Sequence, residues 1–504
     1  MTSLTPEAAV TLASAPGKVL VAGGYLVLER AYSGLVVGTD ACLYAAVQTQ
    51  ASDVLGSCAG SGNEVLISVV SPQFLSARWR YAYSTQRRSL SQLDSADGGT
   101  NSFVQVVLEA TLDLAIECAP KKMHDLASSR LGLKIVLSAD NDFYSQRETL
   151  AKLGVDLSSQ ALRDLPRMCH TGTTLRNVHK TGLGSSAAMV SSLVAAILVH
   201  LGIVGHGDLQ LGQANDMDAV RSRSLIHNVA QYAHCLAQGK VGSGFDVSAA
   251  VYGSHVYRRF SPEVLEGAMS ERSSLDDIRQ ATSPDNPGWN SEVAPVAIPP
   301  RLALRLADVD AGSNTPSMVK RVLQWHSANP EEAGMLWSKL DAANCRIRHT
   351  WDQLNAAFSA DSTRYNAAVD WCSARKSSEW RNAPEVLHGP AHRLLVELVD
   401  ATSSVRALQR QLGESAGVPI EPPKQTRLLD ACMDVTGVCM AAVPGAGGYD
   451  AIFCMTLGPD ADRAVEALWS AWKEMSVGPL LANQASSGVQ TLDPVSYPEI
   501  TSHL

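Results

Sequence analysis

The sequence lacks the features that mark nucleic-acid-binding, membrane and secreted proteins. It has no lysine- or arginine-rich run, and the formal net charge of its 504 residues is −9. This balance argues against nucleic acid or an anionic membrane as the main partner. No uninterrupted apolar run approaches the roughly 20 residues that a transmembrane helix needs. No basic residue precedes Lys18, so we do not expect a secretory signal.

The cysteine pattern excludes two further classes of site. The ten cysteines are scattered through the chain, and no two of them form a CxxC pair. Their spacing fits neither a zinc site nor a disulfide framework. We therefore expect reduced thiols in an intracellular protein, with the cytoplasm as its compartment.

The last three residues indicate a second, less favoured location. Ser502-His503-Leu504 differs from the peroxisomal address Ser-Lys-Leu only at its middle position. A receptor reads such an address only when the tail is exposed, and Val495–Leu504 shows no helical periodicity. The sequence predicts an accessible tail there, so a peroxisomal location is retained as the minority hypothesis.

The common phosphate-binding loop is absent as well. The Walker pattern GxxxxGK[ST] has no match, because neither Gly-Lys pair, at 17–18 or 239–240, has a glycine five residues earlier. The chain instead has KTGLGSSAAMVSSL at 180–193. Glycines allow the backbone to approach a phosphate, and the following helix offers its N-terminal N–H groups and dipole. The alternative is a plain turn into a helix with Ser185 as N-cap.

Hydrophobic periodicity indicates a mixed α+β protein with two lobes. The stretch Ser261–Pro300, rich in Ser, Pro, Asp and Asn, reads as a linker or insertion between them. Helices are predicted at Asn101–Cys118, Ala187–Leu201, Leu225–Ala237, Glu331–Phe358 and Ala391–Leu412. Strands are predicted at Lys18–Ala22, Leu35–Val37, Leu131–Ala139, Arg301–Ala307, Val438–Val443 and Ala451–Leu457.

Three separated motifs then occur in a consistent order. APGKVL with AGGY lies at 15–25, KTGLGSSAA at 180–188 and PGAGGYD at 444–450. Together they resemble the GHMP kinase superfamily of small-molecule kinases. The resemblance implies an α+β, two-lobed GHMP kinase fold. Its parts would be an N-terminal ATP-binding lobe at 1–260, the linker or insertion at 261–300 and a C-terminal, ferredoxin-like lobe at 301–504.

Further stretches narrow the resemblance to the eukaryotic, fungal-like phosphomevalonate kinases. They are ADNDFYSQ at 139–146, AQYAHCLAQGKVGSGFDVSAAVYGS at 230–254, AGSNTPSMVKRVLQW at 311–325 and VPIEPPKQTRLLD at 418–430. The resemblance implies ATP-dependent phosphorylation of 5-phosphomevalonate in the mevalonate pathway, with ATP and Mg²⁺, in a monomer or homodimer. The alternatives are mevalonate kinase or another member of the superfamily, and a non-catalytic sensor with the same fold.

The resemblance also assigns two catalytic residues. Lys18 would bridge the transferring phosphoryl group and the acceptor oxygen, unless it is merely an exposed lysine at the start of a strand. Asp246 would hold Lys18 and Mg²⁺ in place, unless it is an Asx-type cap after a glycine turn. We expect no strong need for a general base, because the acceptor is a phosphate whose second pKa is about 6.

The remaining site residues come from the same resemblance. Ser186 would bind Mg²⁺, and His234 is expected to be a hydrogen-bonded structural residue, because Mg²⁺ prefers oxygen ligands. The ATP-binding residues would be Lys180, Gly182, Leu183, Gly184, Ser185, Ser186 and Ala187, with Asn101 and Ser102 as contacts to the base or ribose. The substrate-binding residues would be Tyr25, Gly312, Ser313, Thr315, Gly445, Gly447 and Gly448.

Overall fold

The described residues form two mostly antiparallel β-sheets, and each sheet packs against its own helices. The computed structural model describes residues 9–55, 63–96, 99–210, 216–309 and 315–504. The strands of the first half are β1 Thr11–Ala22, β2 Ser33–Ala51, β3 Glu64–Val70, β4 Arg78–Ser84, β5 Ser89–Ser95, β6 Leu131–Ala139, β7 His255–Arg258 and β8 Glu292–Pro295. Those of the second half are β9 Leu302–Val309, β10 Val438–Ala442, β11 Ala451–Leu457, β12 Val477–Leu480, β13 Gln484–Ala485 and β14 Gln490–Leu492.

The described residues also form sixteen α-helices. In the first half they are α1 Ser102–Cys118, α2 Pro120–Ser128, α3 Arg147–Leu153, α4 Ser159–Arg163, α5 Ser185–His200, α6 Met217–Gln238, α7 Phe245–Tyr252, α8 Glu263–Glu266 and α9 Leu275–Thr282. In the second half they are α10 Thr315–Ala328, α11 Pro330–Ala360, α12 Ser362–Ser373, α13 Pro390–Ala416, α14 Pro423–Met433, α15 Pro459–Ala471 and α16 Pro498–Thr501. None of the helices in the described part of the chain is long and apolar enough to cross a membrane.

In the described residues the first sheet has ten strands, with the order β14-β1-β2-β6-β3-β4-β5. Strands β7 and β13 also pair with β2, and β8 pairs with β7. The pairs of this sheet are antiparallel except β3 with β6. Helix α5 is apolar on all faces and packs against β1, β2, α1 and α6. A helix with no polar face must be covered on every side, so α5 lies at the centre of the first lobe.

The second sheet has four antiparallel strands in the order β10-β11-β9-β12. Numbered along the chain, this is the order 2-3-1-4 of a ferredoxin-like βαββαβ unit, with α15 between β11 and β12. The long helices α11 and α13 pack against each other, and α13 also packs on β10. The predicted α+β, two-lobed fold is therefore confirmed.

Residues 261–300 are more structured than a linker. They contain α8 and α9, and β8 pairs with β7, with Tyr257 opposite Val293. The apolar residues Leu265, Ala268 and Ala281 pack with Phe260 and Tyr232 in one buried cluster. We therefore propose that residues 261–295 belong to the first lobe.

The end of the chain also returns to the first lobe. Strand β14 pairs with β1, and β13 pairs with β2. The tail was expected to lack helix, and this is wrong, because Pro498–Thr501 is helical and Ile500 is fully buried against Leu12 and Tyr44. Ser502 and His503, which follow this helix, are exposed. Periodicity did not predict the burial of Ile500, because its neighbours in the sequence are mostly polar. We propose that the C-terminal lobe ends near β12, before residue 504.

Candidate active site

Lys18 leaves β1 at a break in the strand pairing. The register of β1 against β2 shifts between Pro16 and Lys18. A side chain at Gly17 would lie 2.8 Å from Thr39 Oγ1, so only glycine fits there. Beyond the break, Lys18 N donates to Leu183 O at 2.9 Å, and Lys18 Nζ donates to Gly182 O at 2.9 Å. The lysine is therefore fixed against the glycine loop that precedes α5.

The glycine loop has the backbone that its sequence predicts. Gly182 and Gly184 have φ values of +83° and +84°, in the left-handed region that favours glycine. A side chain at Gly184 would also lie 3.1 Å from Lys18 Cε. Helix α5 begins directly after the loop at Ser185, and no side chain caps its N-terminus. Its first N–H groups and its dipole therefore suit an anion.

Asp246 lies in the first turn of α7, which follows Gly244. Its Oδ1 accepts a hydrogen bond from Val247 N at 3.0 Å. The neighbouring Phe245 ring has its centroid 5.5 Å from Lys18 Nζ. Burial lowers the pKa of Lys18, and the charge of Asp246 opposes that shift. The predicted catalytic pair thus lies on one cavity wall and interacts electrostatically.

His234 is the central residue that the sequence did not assign to catalysis. Its Nε2 lies 3.1 Å from Ser186 Oγ, 3.9 Å from Asp246 Oδ2 and 3.2 Å from Gln238 Nε2. The ring is buried, and its centroid lies 5.6 Å from that of Phe103. His234 therefore connects the predicted metal-binding serine to the predicted catalytic aspartate. The helix face that carries His234 also carries Gln231 and Gln238, and this polar group on a largely buried helix was the available signal.

The site can accommodate a magnesium ion whose ligands come mainly from the phosphates of a bound nucleotide. Ser186 and Asp246 offer oxygen donors, which Mg²⁺ prefers. Within the described residues, no three His, Cys, Asp or Glu side chains are grouped so that they could hold a metal ion. Mg²⁺ in kinase sites is usually bound through one or two side chains plus substrate phosphates, so this sparse donor set is sufficient.

The glycine-rich turn at 444–450 closes the site from the second lobe. Tyr25 Oη donates to Ala446 O at 2.9 Å, and Gly445 N donates to Leu20 O at 3.2 Å. On the other side, Gly448 N donates to Ile420 O at 2.8 Å. The turn is therefore attached both to β1 and to the segment 418–430 of its own lobe.

The stretch 418–430 contacts this turn and stabilises it. Gln425 Nε2 donates to Gly448 O at 3.1 Å. Glu421 is fully buried as a side chain and accepts from Arg406 at 2.8 Å and from Arg410 at 2.7 Å. Because two arginines neutralise it, this carboxylate anchors the segment without leaving a buried unpaired charge.

These elements enclose a cavity of about 310 Å³, which we call the catalytic cavity. Both lobes contribute to its walls. From the first lobe it is lined by Lys18, Val19, Leu20, Gly24, Tyr25, Val27, Leu28, Thr181, Gly182, Leu183, Gly184, Gln231, His234, Gln238, Lys240, Gly242, Ser243, Gly244, Phe245 and Asp246. From the second lobe it is lined by Leu306, Val319, Pro444, Gly445, Ala446, Gly447, Asp450, Ala451 and Leu480.

Several predicted site residues lie outside this lining. Lys180 is exposed and forms an isolated β-bridge with Tyr144. Asn101 caps α1, accepting from Val104 N at 3.3 Å, and Ser102 begins that helix. Ser185, Ser186 and Ala187 form the first turn of α5 at the cavity edge. Gly312 and Ser313 lie outside the described residues, and Thr315 is the first residue of α10.

Comparison with known sequences gives consistent matches. Residues 395–474 match the family described as GHMP kinases C terminal. The chain is 38% identical over 496 residues to an Arabidopsis thaliana protein named phosphomevalonate kinase, peroxisomal, and the match covers 95% of each. It is 36% identical over 494 residues to a phosphomevalonate kinase of Aspergillus fumigatus, covering 92% of this chain and 91% of that one.

Comparison with solved structures shows the same fold at low sequence identity. A Listeria innocua protein, Lin0012, matches with a TM-score of 0.59 and 14% identity, covering 96% of this chain and all of that one. Streptococcus pneumoniae phosphomevalonate kinase in complex with phosphomevalonate and AMPPNP matches with a TM-score of 0.54 and 14% identity. That match covers 94% of this chain and 99% of the bacterial one.

Proposed function

The chain belongs to the phosphomevalonate kinase family, and we propose that it transfers the γ-phosphoryl group of ATP to 5-phosphomevalonate. The products are 5-diphosphomevalonate and ADP. The observation that carries this proposal is the contact of Lys18 with the glycine loop, together with the electrostatic effect of Asp246 on Lys18, in a cavity that both lobes line. Phosphoryl transfer needs mainly positioning and charge neutralisation, which these groups can provide.

The glycine loop and the first turn of α5 are assigned to the ATP phosphates. Their backbone N–H groups suit the β- and γ-phosphates, as at other helix N-termini. Mg²⁺, when bound, would be held by Ser186 with Asp246 nearby, and it would neutralise charge on the transferring phosphoryl group. Asn101, Ser102 and Lys180 remain proposals for outer contacts to the nucleotide.

Lys18 is assigned to the transferring group itself. Its Nζ donates to a backbone carbonyl of the glycine loop, so the ammonium group lies where the phosphate chain would end. The phosphate acceptor is mostly ionised at neutral pH. The main obstacle is therefore the approach of two anions, and a fixed cation between them lowers it. Burial lowers the pKa of Lys18, and the Asp246 carboxylate opposes this effect and so favours the charged form of the lysine.

The acceptor is assigned to the side of the catalytic cavity formed by Tyr25 and the glycine-rich turn. Gly445 and Gly447 line this side, and Gly448 holds the turn in place through Ile420. Lys240 also lines the cavity and is exposed, so it is suited to one anionic end of the substrate. Gly312, Ser313 and Thr315 remain proposals for the phosphate or carboxylate contacts.

An ADP-release assay with each acceptor tests this assignment. The purified chain, ATP and Mg²⁺ are supplied separately with 5-phosphomevalonate and with mevalonate. We expect turnover with 5-phosphomevalonate and a kcat/KM for mevalonate that is lower by about 10²-fold or more, because the site is built around a second phosphate. Preference for mevalonate would indicate a mevalonate kinase. No ADP release with either would indicate a non-catalytic sensor.

For the compartment we propose the cytosol, with the peroxisome as the alternative. The name of the Arabidopsis relative supports the alternative. Ser502 and His503 are exposed, but the tripeptide is held close to the protein, because Ile500 is fully buried and Gln50 Nε2 donates to Leu504 O at 3.2 Å. A fluorescent protein fused before the whole chain separates the two: diffuse fluorescence supports the cytosol, and punctate fluorescence with a peroxisomal marker supports the alternative.

A further inference from the structure

His234 lies at the catalytic cavity but has no role in the phosphoryl transfer described above. It belongs to the cavity wall, and only 3% of its surface is exposed. So little free surface leaves almost nothing for a ligand to contact, and a role in the reaction must therefore act through a neighbouring group. The neighbours of its Nε2 are Ser186 on α5, Gln238 one turn further along α6, and Asp246 on α7.

The distances favour Ser186 over Asp246 as the group on which His234 acts. His234 Nε2 lies 3.1 Å from Ser186 Oγ, within hydrogen-bond range, but 3.9 Å from Asp246 Oδ2, beyond that range. The other carboxylate oxygen of Asp246 accepts from Val247 N at 3.0 Å. His234 therefore bonds to the serine and not to the aspartate.

The direction of this hydrogen bond follows from Gln238. Its Nε2 lies 3.2 Å from His234 Nε2, and an amide nitrogen can only donate. The imidazole Nε2 is then the unprotonated ring nitrogen, because a protonated one cannot accept. The Ser186 hydroxyl faces the same nitrogen, so the serine must be the donor. The proton of Ser186 therefore points to His234.

This arrangement determines what the Ser186 oxygen can bind. A serine hydroxyl has one proton and two lone pairs. In helices the proton often goes to the carbonyl oxygen four residues earlier, which for Ser186 is Gly182 O, and this oxygen already accepts from Lys18 Nζ at 2.9 Å. With its proton at His234 instead, the hydroxyl keeps both lone pairs for other partners. Oxygen lone pairs are the ligands that Mg²⁺ prefers.

The imidazole is itself fixed in orientation. The centroid of the Phe103 ring, on α1, lies 5.6 Å from that of His234, with an angle of 41° between the two planes. Helix α6 packs against both α1 and α5. Three helices therefore determine where Nε2 lies, and a partner can orient a metal ligand only when its own position is fixed in this way.

We propose that His234 is a positioning residue that orients the Ser186 hydroxyl for Mg²⁺. It accepts the serine proton at Nε2 and so leaves an oxygen lone pair free for the metal ion that accompanies the nucleotide. The inference rests on the proposed function in so far as ATP and Mg²⁺ bind at Ser186. It does not depend on which acceptor is phosphorylated.

Calorimetric titration of the full chain with AMPPNP, once with Mg²⁺ and once with EDTA, tests this without turnover. Mg²⁺ should strengthen the binding of AMPPNP to the unaltered chain. His234→Asn removes the acceptor at Nε2, because the shorter side chain ends near the position of Nδ1. It should weaken binding about tenfold with Mg²⁺, as for loss of a partner that orients a metal ligand, and by less than about twofold with EDTA.

Two further variants separate orientation of Ser186 from other effects of the substitution. His234→Gln places an amide oxygen near the position of Nε2 and should restore the affinity with Mg²⁺ to within about threefold of the unaltered chain. Ser186→Ala removes the hydroxyl that His234 orients. Adding His234→Asn to Ser186→Ala should therefore change the affinity with Mg²⁺ by less than about twofold, since coupled residues do not act additively.

His392→Asn is the matched control for loss of a buried histidine. His392 lies on α13, is 5% exposed, and has its Nε2 2.8 Å from Trp380 O. Its substitution should lower the melting temperature and leave both AMPPNP affinities within about twofold.

Four results would overturn the proposal: no effect of Mg²⁺ on the unaltered chain, equal weakening of His234→Asn with Mg²⁺ and with EDTA, no restoration by His234→Gln, or additive effects in the double variant. Failure of the proposed function is a separate result. It would appear as a wrong acceptor preference in the ADP-release assay and would leave these affinities unchanged.

Discussion

Lys18 is held in position by backbone contacts rather than by an ion pair. Its amide and its ammonium group both donate to the glycine loop, at 2.9 Å each. The aspartate in the same cavity acts through the electrostatic field, since it opposes the lowering of the lysine pKa by burial. Substitutions of Lys18 and Asp246 should therefore change the kinetics in different ways.

Lys18→Met should reduce turnover by at least about 10²–10³-fold while ATP affinity changes by less than about twofold. The reason is that the lysine neutralises charge which develops mainly in the transition state. Steady-state ADP release and equilibrium binding of a nucleotide analogue measure the two quantities. Lys121→Met, at an exposed lysine of α2, serves as the matched control. Retention of more than a tenth of the original turnover by Lys18→Met would contradict this role.

Asp246→Asn should lower kcat by about 10²-fold and leave the shape of the pH–rate profile unchanged. An already ionised acceptor phosphate does not need a base, so the variant loses positioning and not proton transfer. Asp218→Asn, in the first turn of α6, is a control for removing a charge near a helix N-terminus. If the acidic limb of the profile disappeared only in Asp246→Asn, general-base catalysis would be the better account.

At the scale of elements, we expect the glycine-rich turn at 444–450 to tolerate few substitutions. Gly445 and Gly447 both have left-handed backbone, with φ of +62° and +70°. They differ in their surroundings. A side chain at Gly447 would lie 2.3 Å from Ile420 O, whereas nothing lies within 4 Å of one at Gly445.

Gly447→Ala should therefore raise the KM for the acceptor far more than Gly445→Ala does. The first variant must displace the backbone of the turn, while the second adds only the strain of a left-handed alanine, of about 1–2 kcal/mol. We expect at least a tenfold difference in acceptor KM between the two, measured by steady-state kinetics with the melting temperature followed in parallel. Equal effects would show that the contact with Ile420 does not position the turn.

The elements that the sequence predicted most accurately were those with strong apolar periodicity. The strand at Leu131–Ala139 has its predicted bounds, and α5 begins two residues before the predicted Ala187. Helix α6 begins at Met217 and not at the predicted Leu225; its first two turns bury only Ala219, so they give no apolar periodicity to detect. Strand β13 has two residues and gives no pattern. Periodicity detects burial of a face, and these segments bury too little.

The sequence identified the motifs of the candidate site but not the contacts between them. The glycines of 182–184 and the lysine at 18 carry local signals, because each requires a particular residue type at a fixed spacing. The contacts of His234 with Ser186 and Asp246 join three separate segments and depend on how α5, α6 and α7 pack. No single stretch of sequence contains that information.

At the scale of the whole molecule, the segment 140–147 joins the two lobes. Arg147 pairs with Asp308 of β9 at 3.2 Å. Asp142 accepts N–H bonds from Leu481 and Ala482, which follow β12. Burial raises the pKa of the Asp142 carboxyl from 3.8 to about 6. The ionised form is therefore disfavoured at this junction.

Asp142→Asn should change how the stability depends on pH. A carboxyl group with a raised pKa binds more protons in the folded chain, so its contribution to the free energy of unfolding falls as pH rises from 3.8 to about 6. The asparagine variant lacks this titration and still offers an acceptor to both N–H groups. Relative to the unaltered chain, it should gain on the order of 2 kcal/mol between pH 4 and pH 7.

Urea unfolding at a series of pH values measures this difference. Asp352→Asn, at an exposed position of α11, is the control and should show no such trend. If the stability gained by Asp142→Asn were constant across the range, or fell with rising pH, the pKa of the Asp142 carboxyl would not be raised in the folded chain.

The central claim is that the acceptor of the phosphoryl group is itself a phosphate. Phosphorus-31 NMR of the reaction of ATP with 5-phosphomevalonate tests this directly, because a phosphoric anhydride and a second phosphomonoester give different signals. The account predicts that the phosphomonoester signal of the acceptor is replaced by two mutually coupled diphosphate signals as ATP is converted to ADP. A new uncoupled phosphomonoester signal, with the original one retained, would show transfer to a hydroxyl group and contradict it.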